Sequence, residues 1–182
     1  MSTGVTFEGN NGPVTIINEN SAPRASIIGR LIEIIAIGNR ESLSLDRIPA
    51  EIEHKVQFND LKKFQWLVDE YVESSLLINE SVRELNQTIL NGSTRLKRQM
   101  KLFYVKALNK FDVTIRPFDL EKLRAHSDEI VQEVINLTTR FVKSSSDLKD
   151  GFFEEDLENG VTLITSYSII ECVVLENPND HN

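Results

Sequence analysis

Cysteine is almost absent from this sequence: Cys172 stands alone among 182 residues. An intramolecular disulfide is therefore excluded, as is any multi-cysteine zinc site, and a single thiol fits a reducing compartment. Histidine is scarce too, at three, and no Glu-flanked histidine pair of the zincin type occurs. Long apolar runs are missing. The longest, within Ile27 to Ile37, is interrupted by Gly29, Arg30 and Glu33 and falls short of the ~18 residues that a membrane-spanning helix requires. Met1-Ser2-Thr3-Gly4 has neither the basic start nor the apolar run of a secretory signal, so a cytoplasmic location without membrane association is expected. The triplets starting at Asn86, Asn91 and Asn136 then read as chance matches to a glycosylation site. An excess of positive charge is also lacking: 20 Lys and Arg against 28 Asp and Glu leave a net charge of −8. That balance opposes non-specific phosphate binding and makes nucleic acid a poor primary ligand.

What is present divides the chain unevenly. In residues 1–20, Val5-Thr6-Phe7-Glu8 and Val14-Thr15-Ile16-Ile17 are β-branched or aromatic, and Gly9-Asn10-Asn11-Gly12-Pro13 between them is turn chemistry. A β-hairpin is expected there. Val5, Phe7, Val14, Ile16 and Ile17 would supply its apolar faces, and its unpaired edges would invite pairing with another chain and hence a homo-oligomer. Asp112-Val113-Thr114-Ile115 offers an alternative third strand within the same chain.

Residues 21–182 read as a mainly α, multi-helix bundle. Ser21 is placed to cap a largely buried helix over 23–37, and Pro49 starts a short one reaching about Gln57. The apolar spacing from Leu61 to Ile89 predicts a long helix over 60–90, ended by Asn91-Gly92-Ser93. A basic helix over 94–110 follows. A region over 118–143 carries a break at Ser127-Asp128, and an apolar helix over 153–176 is stopped by Asn177-Pro178.

A search for chemistry in this pattern finds little. Glu51 and His54 have the spacing of half a carboxylate-bridged di-iron site, but the second Glu-x-x-His is missing. Gly9-Asn10-Asn11-Gly12 leads into Pro13 and a strand, whereas a phosphate loop must open a helix. Cys172 lies among Ile169, Ile170, Val173 and Val174, where a thiol serves as a small hydrophobe. Glu154-Glu155-Asp156 suits a helix start, where acids favour the macrodipole. No metal, cofactor or catalytic residue is expected.

Two segments carry a resemblance: Ile48-Pro49-Ala50-Glu51-Ile52 leading into Phe58-Asn59-Asp60-Leu61, and the ending Ile169-Ile170-Glu171-Cys172-Val173-Val174-Leu175-Glu176-Asn177-Pro178. Together, and with the Gly/Asn-rich hairpin ahead of them, they resemble the helical C-terminal domain of effectors in bacterial ABC-three-component anti-phage systems, the Lamassu-like group. The resemblance spans about residues 4–178. It implies a non-catalytic assembly module that joins an effector to an SMC-like ABC ATPase and a small middle component. Asn59 is expected to cap the long helix and make a rigid corner, with Glu51, Glu53 and His54 as partner-binding residues. In the family an effector domain precedes this region and here none does, so an excised domain and a separate small subunit both fit. Two other classes stay open: a nucleic-acid accessory subunit using the basic face from Arg95 to Lys110, and a stand-alone enzyme in which His54 or His126 meets carboxylates in a pocket.

Overall fold

The first helix begins where a serine side chain can take an orphan backbone donor. Ser26 does this: its Oγ accepts from Gly29 N at 2.7 Å, and α1 runs Ile27–Ile37, while Ser21, expected in that role, lies outside the described residues. The computed structural model of the chain describes residues 23–38, 49–148, 151–171 and 173–181. The expected hairpin, with Val5, Phe7, Val14, Ile16 and Ile17, lies outside the described residues, and so does Cys172. Six more α-helices follow: α2 (Ala50–Phe58), α3 (Trp66–Thr88), α4 (Gly92–Lys110), α5 (Leu120–Ala125), α6 (Ser127–Lys143) and α7 (Glu154–Ile170), with a final 3-10 turn, Pro178–His181. The architecture is mainly helical, and among the described residues there is no strand.

Helices α1 and α7 form the inner pair. Ile28, Leu31, Ile32, Ile34 and Ile35 of α1 are all buried, as are ten successive or near-successive residues of α7 from Leu157 to Ile169. Around them pack α3, α4 and α6. The inner pair crosses closely because Gly160 has no side chain. A Cβ at that position would stand 2.6 Å from Ile32 Cγ2, so any larger residue forces α1 and α7 apart.

Three boundaries depart from expectation, each for a visible reason. The long helix starts at Trp66, because Asn59, Asp60 and Leu61 terminate α2. Leu61 N bonds Val56 O at 3.1 Å and Asp60 N bonds Gln57 O at 3.1 Å, with Asp60 at φ 54°. This is a Schellman ending with aspartate in the left-handed position usually taken by glycine. The stretch Asp112–Ile115 forms no strand among the described residues; Asp112 (φ 53°) and Val113 close α4 in the same way, Val113 N reaching Leu108 O at 3.0 Å. Among the described residues, Ile115 pairs with Phe118 in an isolated bridge. The last helix stops at Ile170, not 176, because Val173 N and Val174 N both turn back to Ser168 O, at 2.9 and 3.0 Å. The break at Ser127 is present, between α5 and α6.

Long-range carboxylates pin the turns. Asp128 Oδ1 accepts from the backbone of Lys62, Lys63 and Phe64 at 3.2, 2.8 and 3.2 Å, satisfying the approach to α3 that Asn59 does not cap. Asp147 Oδ2 accepts from Ser26 N at 2.6 Å, and Gly29 leaves room for it. Glu133, buried on α6, accepts from Lys110 Nζ at 2.6 Å and Arg140 at 3.1 Å.

The bond from Lys110, with the positive charges of Lys110 and Arg140, holds the Glu133 carboxyl below the usual carboxylate range. A depressed carboxyl pKa contributes stability that is full above the unfolded value of about 4.3 and is lost as pH falls through the lower folded value. Both cationic partners are more than half exposed, so solvent screening trims the contribution. Glu133→Gln is expected to cost about 1–2 kcal/mol at pH 7, and the gap to the native chain should shrink below about pH 4. Urea unfolding at both pH values measures it, and a gap unchanged by pH contradicts the assignment.

Candidate partner-docking corner

Helix α2 is short and weakly apolar, and it is held by polar contacts as much as by packing. Glu51 and Glu53 occupy its first turn, favourable to the positive end of the helix dipole. Ile52, Lys55, Val56 and Asn59 fall at helical spacing on its inward side. Lys55 is 4% exposed and donates from Nζ to Ile169 O at 2.6 Å, covering a carbonyl in the last turn of α7.

Asn59 is fully buried and joins the end of α2 to the segment that follows α7. Its Nδ2 donates to Lys55 O and to Glu176 O, both at 2.8 Å, and its Oδ1 accepts from Glu176 N at 2.9 Å. The carboxamide thus pairs with residue 176 as a neighbouring peptide unit would, across 117 positions of sequence. Glu176 is also held from α4, where Tyr104 OH donates to its Oε1 at 3.0 Å. Burial and then the Glu176 charge push the Tyr104 hydroxyl well up, so it stays a donor. Burial, with Glu171 and Tyr71 beside it, likewise pushes Tyr167 up to about 12. Lys97 of α4 pairs with Glu171 at 2.5 Å.

From the other side, Arg124 donates to Phe58 O at 2.6 Å with its guanidinium 4.8 Å from the Phe58 ring centroid, and Ser127 Oγ donates to Asp60 O at 3.0 Å. The result is a corner in which α2, the end of α7 and the final turn are fastened together.

Between α2 and the final turn lies an open cleft of about 480 Å³, with Ile52, Tyr71 and Ile170 among its apolar lining and Glu51, His54 and Asn177 among its polar lining. Glu51 and His54 therefore share this cleft. Glu53 does not: it borders a smaller cleft of about 340 Å³ with Val56, Gln65 and Val68, toward α3. His126 stands apart at the α5–α6 junction, its ring stacked 5.4 Å from that of Phe111. Among the described residues, no group of three or more His, Cys, Asp or Glu side chains stands close enough to hold a metal ion. No helix among them is long and apolar enough to cross a membrane.

Lys55 and Tyr104, the side chains that fasten the corner beside Asn59, carry no catalytic or binding signature. Lys55 was nonetheless detectable, as a lysine on the apolar face of its helix (52, 55, 56, 59). Tyr104 has no comparable signal, since its spacing suits any core aromatic. No family model matches the chain, and neither does any curated protein or solved structure.

Asn59→Ala removes three side-chain hydrogen bonds at a fully buried position, with an expected cost of about 2–4 kcal/mol. Asn109→Ala, on the exposed side of α4, should stay within about 0.5 kcal/mol of the native chain. Equal denaturant midpoints for the two variants would show that the Asn59 bonds contribute nothing net.

Proposed function

We propose that this chain is a non-catalytic assembly module that links a defence effector to an SMC-like ABC ATPase and its small middle component. The observation that supports this reading is the meeting of its two characteristic segments. Residues 49–61 and 169–178 are remote in sequence, yet Asn59 and Lys55 fasten them into one corner with an open cleft beside it. A fixed, solvent-facing corner with an apolar floor and a charged rim suits recognition of a protein surface. Glu51 and His54 are the rim residues that read the partner, with Glu53 contributing on the adjoining face. Catalysis in the assembled system belongs to the partners. Self-association through Val5, Phe7, Val14, Ile16 and Ile17 is part of the same proposal.

Co-expression with the products of neighbouring genes tests it. The native chain should retain an ABC ATPase through affinity capture and gel filtration. The double variant Glu51→Lys, His54→Glu should reduce that capture about tenfold, the effect of losing 1.4 kcal/mol of binding. Its thermal midpoint should move little, because the changed charges are exposed and touch only the helix dipole. Failure of the native chain to retain an ATPase, or capture indifferent to both substitutions, rejects the proposal.

A further inference from the structure

Helix α4 carries Arg95, Lys97, Arg98, Lys101, Lys106 and Lys110 with no acid between them. Two of these charges are answered inside the molecule, Lys97 by Glu171 and Lys110 by Glu133. Arg95, Arg98 and Lys101 make no ion pair among the described residues, although acids outnumber bases in the chain by 28 to 20. These three line an open groove of about 760 Å³ between α4, the start of α1 and α6, and among the described residues no acidic one lines it. Its apolar side is formed by Leu102, Val105 and Phe141. Leu102 is 47% and Phe141 37% exposed, and the Phe141 ring is seated edge-on, 5.5 Å from buried Phe103. Lys101 is drawn over the Tyr104 ring, its Nζ 5.0 Å from the centroid.

We propose that this groove docks an acidic amphipathic helix of a partner protein. The partner's apolar stripe would lie on Leu102, Val105 and Phe141, and its flanking carboxylates would face Arg95, Arg98 and Lys101. Charge complementarity selects the acid. The length selects the helix: from Arg95 to Val105 the groove follows α4 for about 15 Å, nearly three turns, which accepts anchors at i, i+3 or i+4, and i+7. A nucleic-acid duplex, its bases already stacked, would gain little from the apolar floor and would be opposed by the net charge of −8. A bilayer surface is flat where this site is concave. The groove shares no lining residue with the α2 corner, so the two surfaces stand or fall separately.

The test is a displayed library of peptides about 14 residues long, with Asp or Glu flanking a variable apolar stripe, selected on the full chain beside an equal library with Lys or Arg flanks. The acidic library should enrich. The enriched peptide, labelled for fluorescence anisotropy, should lose affinity about tenfold or more with Arg95→Glu, Arg98→Glu and, separately, with Leu102→Ser. Circular dichroism should confirm that each variant is folded. A copy of the peptide with its acids changed to lysine should prefer the Arg95→Glu, Arg98→Glu chain over the native one. Glu51→Lys, His54→Glu should bind the peptide as the native chain does, which separates this result from any failure at the corner. The proposal is overturned by enrichment of neither library or of both equally, or by peptide affinity indifferent to the arginines. Tighter binding of a short DNA duplex or of phosphatidylserine vesicles to those same residues would also overturn it, as would a native dimer that Leu102→Glu splits.

Discussion

One buried carboxamide holds the end of α2 to the segment that follows α7. A side-chain amide can reproduce the donor–acceptor pair of a peptide group, and Asn59 does so against residue 176, with both sides of the pair between 2.8 and 2.9 Å. Val173, Val174 and Leu175 are buried in an irregular turn in which Leu175 adopts φ 65°. Backbone in such a turn has no ladder of its own, and unpaired buried amides are costly. Asn59 supplies the missing partner at residue 176. Helix α2 gains from the same bond, since its own packing surface is little more than Val56 and part of Ile52.

The same device recurs at three other places in the bundle. Asp128 reaches three backbone donors ahead of α3, Asp147 one ahead of α1, and Lys55 a carbonyl at the end of α7. Each adds a bond from a residue distant in sequence, so the turns are tied to the rest of the bundle and not only to their neighbours in sequence. For the proposed assembly role this has a direct consequence. A surface built on fastened turns loses little conformational entropy when a partner arrives, so more of the contact energy remains as affinity. The corner cleft beside α2 and the groove along α4 both rest on such elements, α4 being tied to the last turn through Tyr104 and Lys97.

Helical periodicity carried much of this architecture. Leu67, Tyr71, Ile78 and Leu85 report α3 directly, and the break before Ser127 was legible from a capping-type residue inside an apolar pattern. Periodicity failed at Ile169 to Leu175, because an unbroken apolar run looks the same whether it continues a buried helix or folds back as a buried turn. It failed at Asn59 for a different reason. Asparagine after Phe58 can begin one helix or end another, and only the position of residue 176 decides between them. The helix ends at Asp60 and Asp112 were hidden because aspartate, unlike glycine, does not announce a left-handed residue. Glu51 and His54 were identified as a pair by their spacing and do share a cleft, while Glu53, two positions from Glu51, necessarily points elsewhere on a helix.

Hydrogen exchange at the Glu176 amide tests the fastening role of Asn59 most directly, because that N–H donates to a side chain and not to a helix carbonyl. Resolved by NMR, it should be protected in the native chain at a level comparable with amides in the middle of α7. In Asn59→Ala that protection should be lost, while the amides of Ile164 and Ile78 keep theirs. A Glu176 amide that exchanges freely in the native chain, or one equally protected without Asn59, would contradict it.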